Sequence, residues 1–269
     1  TYMPQFAGTD QEKDAVASYL AGEVLEKDLQ PRPEPYTIDN TYETEIPPFD
    51  EDEAEYILLA WNDLGMHCIS DSDPWFVILP PANTLEAQLI RRGEVPQLVR
   101  ENVELTYKVQ EGFEDPADHV EFWDYDVQNF GADLEENVGL FGKAMTGTFR
   151  FEEDRNGFIA EAIPVVPYMD NGDFNPYPIF TVEARDAASG ELLATTDVVA
   201  PTSTEMGCRN CHGGDWRVNG TSGVAEETAI NILKAHDKHS GTDLYEKALN
   251  GEPQLCQSCH ADPALGAPG

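Results

Sequence analysis

The chain has 269 residues, 41% of them apolar, and a formal net charge of −35 from 51 Asp plus Glu against 16 Lys plus Arg. The apolar content is enough for a packed core in one large domain or two smaller ones. The negative field excludes nucleic acid as a partner, and no apolar run reaches the roughly 18 residues that cross a bilayer as a helix.

The predicted elements begin with an amphipathic helix over residues 11–29. Val16, Leu20 and Val24, with Ala17 and Ala21, form its apolar stripe, and Thr9 or Asp10 caps it. Pro31-Arg32-Pro33-Glu34-Pro35 ends that helix, and 31–55 reads as an acidic, Pro-rich linker or arm. Residues 1–55 carry 15 acids and 3 bases.

From residue 56 to about 203 the pattern turns to short strands. Tyr56–Trp61 is a continuous apolar run suited to a fully buried strand, whereas Val103, Leu105, Tyr107 and Val109 alternate with polar residues as a half-exposed strand does. Asn83–Arg92 reads as a helix. Asn156-Gly157 joins Thr148–Phe151 to Phe158–Ile163 in a hairpin, because both turn residues accept positive φ, and Ser189-Gly190 does the same further on. These signals predict a mainly β fold, an Ig-like sandwich over 56–203. Asp170-Asn171-Gly172-Asp173 is an Asx turn whose oxygens form a weak candidate Ca²⁺ site.

After Pro201 the strand pattern ends. Ala225–His236 and Thr242–Leu249 read as helices in a small, mostly α and coil module over 204–269. Sixty-six residues build little core alone, so a bound group must supply part of it.

Cys208-Arg209-Asn210-Cys211-His212 and Cys256-Gln257-Ser258-Cys259-His260 are two C-x-x-C-H motifs in that module. Two thiols at this spacing reach the two vinyl groups of one porphyrin, and the following His meets the iron, so the expected cofactor is haem c, at least two copies. A four-Cys zinc site competes for the same cysteines, but it does not need a His after both second cysteines. Covalent haem attachment belongs to the oxidising side of a membrane, so the chain is expected in the periplasm or outside the cell as a processed product.

Cys208, Cys211, Cys256 and Cys259 are thus the expected attachment points, and His212 and His260 the proximal ligands. Of six histidines, four remain for the distal sides. His236 and His239 lie between the two motifs and lead. His67, in Gly65-Met66-His67-Cys68, is a ligand candidate set against a packed structural His, and His119 reads as a surface residue of a charged loop. Cys68 is left without a partner from the motifs and reads as a buried free thiol, with iron ligation, a single thioether or an intersubunit bond as alternatives.

Two resemblances add to this. Tyr2-Met3-Pro4-Gln5-Phe6, with Tyr19-Leu20 closing the helix, resembles the C-terminal end of a class I cytochrome c, which implies that 1–30 is a remnant of such a domain and that Met3 is a distal haem ligand. This chain has no C-x-x-C-H upstream of it. The stretches Trp61–Cys68, Ile78-Leu79-Pro80-Pro81, Phe122-Trp123-Asp124-Tyr125, Asn175-Pro176-Tyr177-Pro178, Ser203-Thr204-Glu205-Met206, Ile232-Leu233 through His236-Asp237, and Cys256–Pro263 resemble multihaem c-type cytochromes of metal-reducing bacteria, and the resemblance puts His236 ahead of His239 as a ligand. Chains of that family run on into further haem motifs, and Leu265–Gly269 reads as a truncation or processing point.

The resemblance implies an electron carrier working with other cytochromes or redox proteins, in a homo-oligomer, filament or larger haem chain. The alternative is a multihaem reductase or peroxidase in which one iron keeps an open coordination position.

Overall fold

The structure, a computed structural model, describes residues 47–70, 72–204 and 226–260. The expected helix of 1–30, Met3, most of the 31–55 arm, and Cys208, Cys211 and His212 lie outside the described residues.

The described chain is mainly β. One antiparallel sheet has the order β1 (Tyr56–Asn62), β4 (Asn83–Arg91), β9 (Gly157–Ile163), β8 (Arg150–Glu152), with β5 (Gln97–Val99) pairing on the end of β4. The second has the order β11 (Leu192–Val199), β10 (Ile179–Asp186), β6 (Val103–Val109), β7 (Thr146–Thr148). Both sheets contribute to one apolar cluster: Leu85, Leu89 and Phe158 from the first, and Leu105, Tyr107 and Phe180 from the second. Tyr107 packs edge-on against Phe149 and donates its hydroxyl to the Ala144 carbonyl, and burial pushes its phenol above the ordinary range.

β6 alternates as its sequence predicts, with Leu105, Tyr107 and Val109 turned inward. Two expectations are corrected. Residues 83–91 are the central strand β4, not a helix. Ala, Leu, Glu and Gln favour helix one residue at a time, but Leu85, Ala87 and Leu89 repeat every second position and β4 is paired on both sides, so tertiary pairing overrides propensity. β1 is not fully buried: it pairs with β4 alone, Leu58 faces the core, and Leu59 and Trp61 are exposed. The predicted hairpin at Asn156-Gly157 is present, with Asn156 at φ 51°. Its first strand is shorter than predicted, because the chain changes sheets at the buried Phe149: Thr146–Thr148 pairs with β6 and Arg150–Glu152 with β9.

Two short parallel pairings connect this body to the segments around the motifs. β12 (Thr202–Thr204) lies beside β2 (His67–Ile69), and β13 (Gln254–Leu255) beside β3 (Phe76–Val77). β12 ends four residues before Cys208 in sequence and β13 one residue before Cys256. A buried polar network holds β12. Asn83, fully buried, donates to Thr202 Oγ1 (3.0 Å) and to the Pro201 carbonyl (3.3 Å) and accepts from Asn62 Nδ2, while Tyr168 Oη meets Thr204 Oγ1 at 3.0 Å.

A short helix, α1 (Asp126–Phe130), sits in the long β6–β7 connection. The C-terminal segment holds α2 (Glu226–Ser240) and α3 (Leu244–Leu249); α2 continues past His236 to take in His239. Ala229 and Leu233 of α2 and Ala248 of α3 bury against Phe76 of β3 in a separate apolar cluster.

Candidate functional site

The second motif is built directly onto β13. A 3-10 turn over Cys256–Ser258 follows the strand, closed by Cys259 N–H and His260 N–H donating to the Cys256 carbonyl at 3.2 and 2.9 Å. This turn brings the two thiols and the imidazole of the motif onto one short loop. Gln257 Nε2 donates to the Ile78 carbonyl and Ser258 Oγ to that of Leu255 (2.7 Å), which tie the loop to the chain after β3 and to β13.

The two cysteines differ in setting. Cys256 packs against the cluster of Phe76, Ala229, Leu233 and Ala248, and burial, with a smaller contribution from Cys259, pushes its thiol up to about 11. Cys259 is exposed. Beside them Trp75 stacks on Tyr245 with centroids 6.1 Å apart, and Lys234 Nζ lies 4.4 Å from the Tyr245 ring centre.

His260 meets His236 of α2 with ring centroids 6.3 Å apart and planes at 87°. His236 Nδ1 lies 2.9 Å from Thr242 Oγ1, just beyond the helix. Thr242 Oγ1 in turn donates to Asp237 Oδ1 at 2.6 Å. Asp237 also accepts from Leu244 N–H (2.8 Å) and Tyr245 N–H (3.0 Å), which joins the end of α2 to the start of α3. Desolvation pushes the Asp237 carboxyl up, but the Thr242 hydroxyl and the Tyr245 and Leu244 amides outweigh it and hold the carboxyl below the ordinary carboxylate range. His239, three residues after His236, is exposed.

The other candidates fall elsewhere. His67 sits on β2 opposite Thr202, with its N–H donating to the Pro201 carbonyl and Nε2 2.8 Å from Asp63 Oδ1, so only Nδ1 is free to meet a metal. Cys68 is half-buried beside Ser203. His119 is not the surface residue its charged loop suggests: it is half-buried, and its Nε2 is buried without a hydrogen-bond partner. In the 170–173 turn, Asp170 accepts from the Glu114 and Asp115 amides (3.1 and 3.0 Å), and Asn171 and Asp173 bond each other.

The structure therefore brings together Cys256, Cys259, His260 and His236, and sets His67 on the β2–β12 pair. Sequence reasoning missed Thr242 and Asp237 as partners of His236, and Asn83 as the anchor of β12. No spacing rule announces them, because each acts across a turn or a sheet. No protein-family sequence profile matches the chain, and no curated protein matches it in sequence.

Proposed function

We propose that this chain is an exported multihaem c-type cytochrome that passes electrons between redox partners, with an Ig-like β-sandwich carrying a haem module of at least two haems c. The observation that carries this reading is the pair His236–His260. Metal–imidazole bonds are about 2 Å long and a ring nitrogen lies about 1 Å from its ring centre, so two imidazoles on opposite sides of one iron put their centroids about 6 Å apart; the observed separation is 6.3 Å. The donor chemistry fits as well: two thiols, two neutral nitrogen ligands and an apolar wall under Cys256 are what a thioether-linked, six-coordinate haem requires.

When bound, haem c supplies a one-electron Fe(III)/Fe(II) couple. Cys256 and Cys259 would fix the porphyrin edge, His260 and His236 would hold the iron from its two faces, and Phe76, Leu233 and Ala248 would exclude water from the side of Cys256. Cys208, Cys211 and His212 would hold the other haem, and His67, on the strand paired with β12, is a described candidate for its distal ligand. His239 and Met3 remain candidates for further ligation. The strands that precede the two motifs in sequence, β12 and β13, pair with β2 and β3. Partners are other cytochromes or redox proteins, including further copies of this chain in a filament. Among the described residues no helix is long and apolar enough to cross a membrane.

The test is intact mass together with reduced-minus-oxidised visible spectra and electron paramagnetic resonance on protein matured with haem-attachment machinery. Two or more covalent haems are expected, with low-spin bands and, for the Cys256/Cys259 haem, the strongly anisotropic low-spin signal of perpendicular axial imidazoles. Bound zinc without haem overturns the reading, and a five-coordinate high-spin iron that takes up carbon monoxide would favour a redox enzyme instead.

A further inference from the structure

We infer that Asp237 and Thr242 are positioning residues that select the tautomer of His236 and present its Nε2 to the iron opposite His260. The inference rests on the haem reading above and adds residues to it that carry no ligand atom themselves.

A threonine hydroxyl has one hydrogen to give. Thr242 Oγ1 stands 2.6 Å from Asp237 Oδ1, and an ionised carboxylate can only accept, so that hydrogen goes to Asp237. The same oxygen stands 2.9 Å from His236 Nδ1 and has only lone pairs left to offer it. Nδ1 therefore carries the imidazole proton, and Nε2 is left with a free lone pair.

Asp237 is itself held by the Leu244 and Tyr245 amides, so the relay is anchored at both the last turn of α2 and the first turn of α3. A hydrogen bond to the far nitrogen of a ligating imidazole fixes the ring and raises its basicity. A more basic imidazole stabilises Fe(III) over Fe(II). The relay thus serves both geometry and potential. His239, at the exposed end of the same helix, is flanked by Lys238 and Ser240, whereas Asp237 directly follows His236.

The experiment uses the full, haem-loaded chain and four variants. Thr242→Val keeps the shape and removes the hydroxyl; Thr242→Ser keeps the hydroxyl; Asp237→Asn removes the obligatory acceptor; His236→Ala removes the ligand. Thr242 is exposed, so its substitutions leave the packing of α2 and α3 in place. Thr242→Val is expected to lower the Fe(III)-over-Fe(II) preference of one haem about tenfold, read as a rise of about 59 mV in its midpoint. Asp237→Asn shifts it the same way, Thr242→Ser restores it, and His236→Ala converts that haem from low to high spin.

If His236→Ala changes the spin state while Thr242→Val and Asp237→Asn leave midpoint and spectrum at wild-type values, the positioning role is wrong and the haem reading stands. If His236→Ala leaves every haem low-spin and unchanged, the assignment of His236 as a ligand has failed, and the positioning role fails with it.

Discussion

Asn83→Leu is the substitution whose cost the structure specifies most closely. The residue is fully buried and its amide joins three strands: Oδ1 accepts from Asn62 at the end of β1, and Nδ2 donates to Pro201 O and Thr202 Oγ1 at the start of β12. Leucine has the same number and branching of side-chain heavy atoms, so no cavity forms and the loss is chiefly the hydrogen bonding. Each of those partners keeps another contact: Asn62 Nδ2 still donates to Thr84 O (3.1 Å), Pro201 O still accepts from His67 N–H (2.9 Å), and Thr202 Oγ1 still donates to Ala200 O (3.2 Å). No group is orphaned, so the heavy penalty for an unpaired buried polar atom does not apply. Three hydrogen bonds at about 0.5–1.5 kcal/mol each sum to about 1.5–4.5 kcal/mol, and burial of the leucine returns about 1.5 kcal/mol, which leaves a net loss centred on about 1.5 kcal/mol. Urea unfolding followed by tryptophan fluorescence should move to a lower midpoint at constant m, and hydrogen exchange should speed up at the His67 amide before it does in β4. Asn83→Asp should cost more at neutral pH, since it sets a carboxylate against the Pro201 carbonyl in a site without water access. A loss below about 0.5 kcal/mol for Asn83→Leu would refute the account of this network.

Three further outcomes follow from particular contacts. A Cβ at Gly147 would lie 2.6 Å from Tyr107 Oη and 2.9 Å from its Cζ, so Gly147→Ala should destabilise by about 1–3 kcal/mol, and less in a Tyr107→Phe background; equal losses in both backgrounds would contradict the clash. Asp186 is held below its ordinary value of 3.8 by Ser189, through both its amide and its hydroxyl, and by the Ala188 amide. Its folded pKa is the lower one, so its stabilisation is present above 3.8 and lost as the pH falls through that folded value; the stability gap between wild type and Asp186→Ala should close in acid, and a gap that persists there would refute it. In the haem-free chain the Cys256 thiol, raised from 9.0 to about 11, should hold about a hundredfold less thiolate than an ordinary cysteine at the same pH, so iodoacetamide mapped by mass spectrometry should label the exposed Cys259 first, and matching rates would overturn this.

Much of the β body was legible because a strand that buries one face writes its contact in a period of two. Val103 to Val109 and the turn at Asn156-Gly157 carry that signal locally. The segment Asn83–Arg91 was misread because its residues favour helix one at a time, and only its two strand partners reveal a central strand. β2, β3, β12 and β13 are two or three residues each, too short for any periodicity, and they exist through parallel pairing with residues far away in the chain.

The sequence by itself determined the chemistry on offer: the spacing of Cys256, Cys259 and His260 is a covalent property of five consecutive residues and holds in any fold. It also determined the strong negative charge and the mainly β character. Only the tertiary structure set His236 against His260, because His236 and His239 lie three residues apart on one helix and differ in what α2 and α3 set around them. It also decided that Thr242 stands between His236 Nδ1 and the Asp237 carboxylate, with its hydroxyl donated to Asp237. Those bonds cross from the last turn of one helix to the beginning of the next, a relation that distance along the chain does not encode.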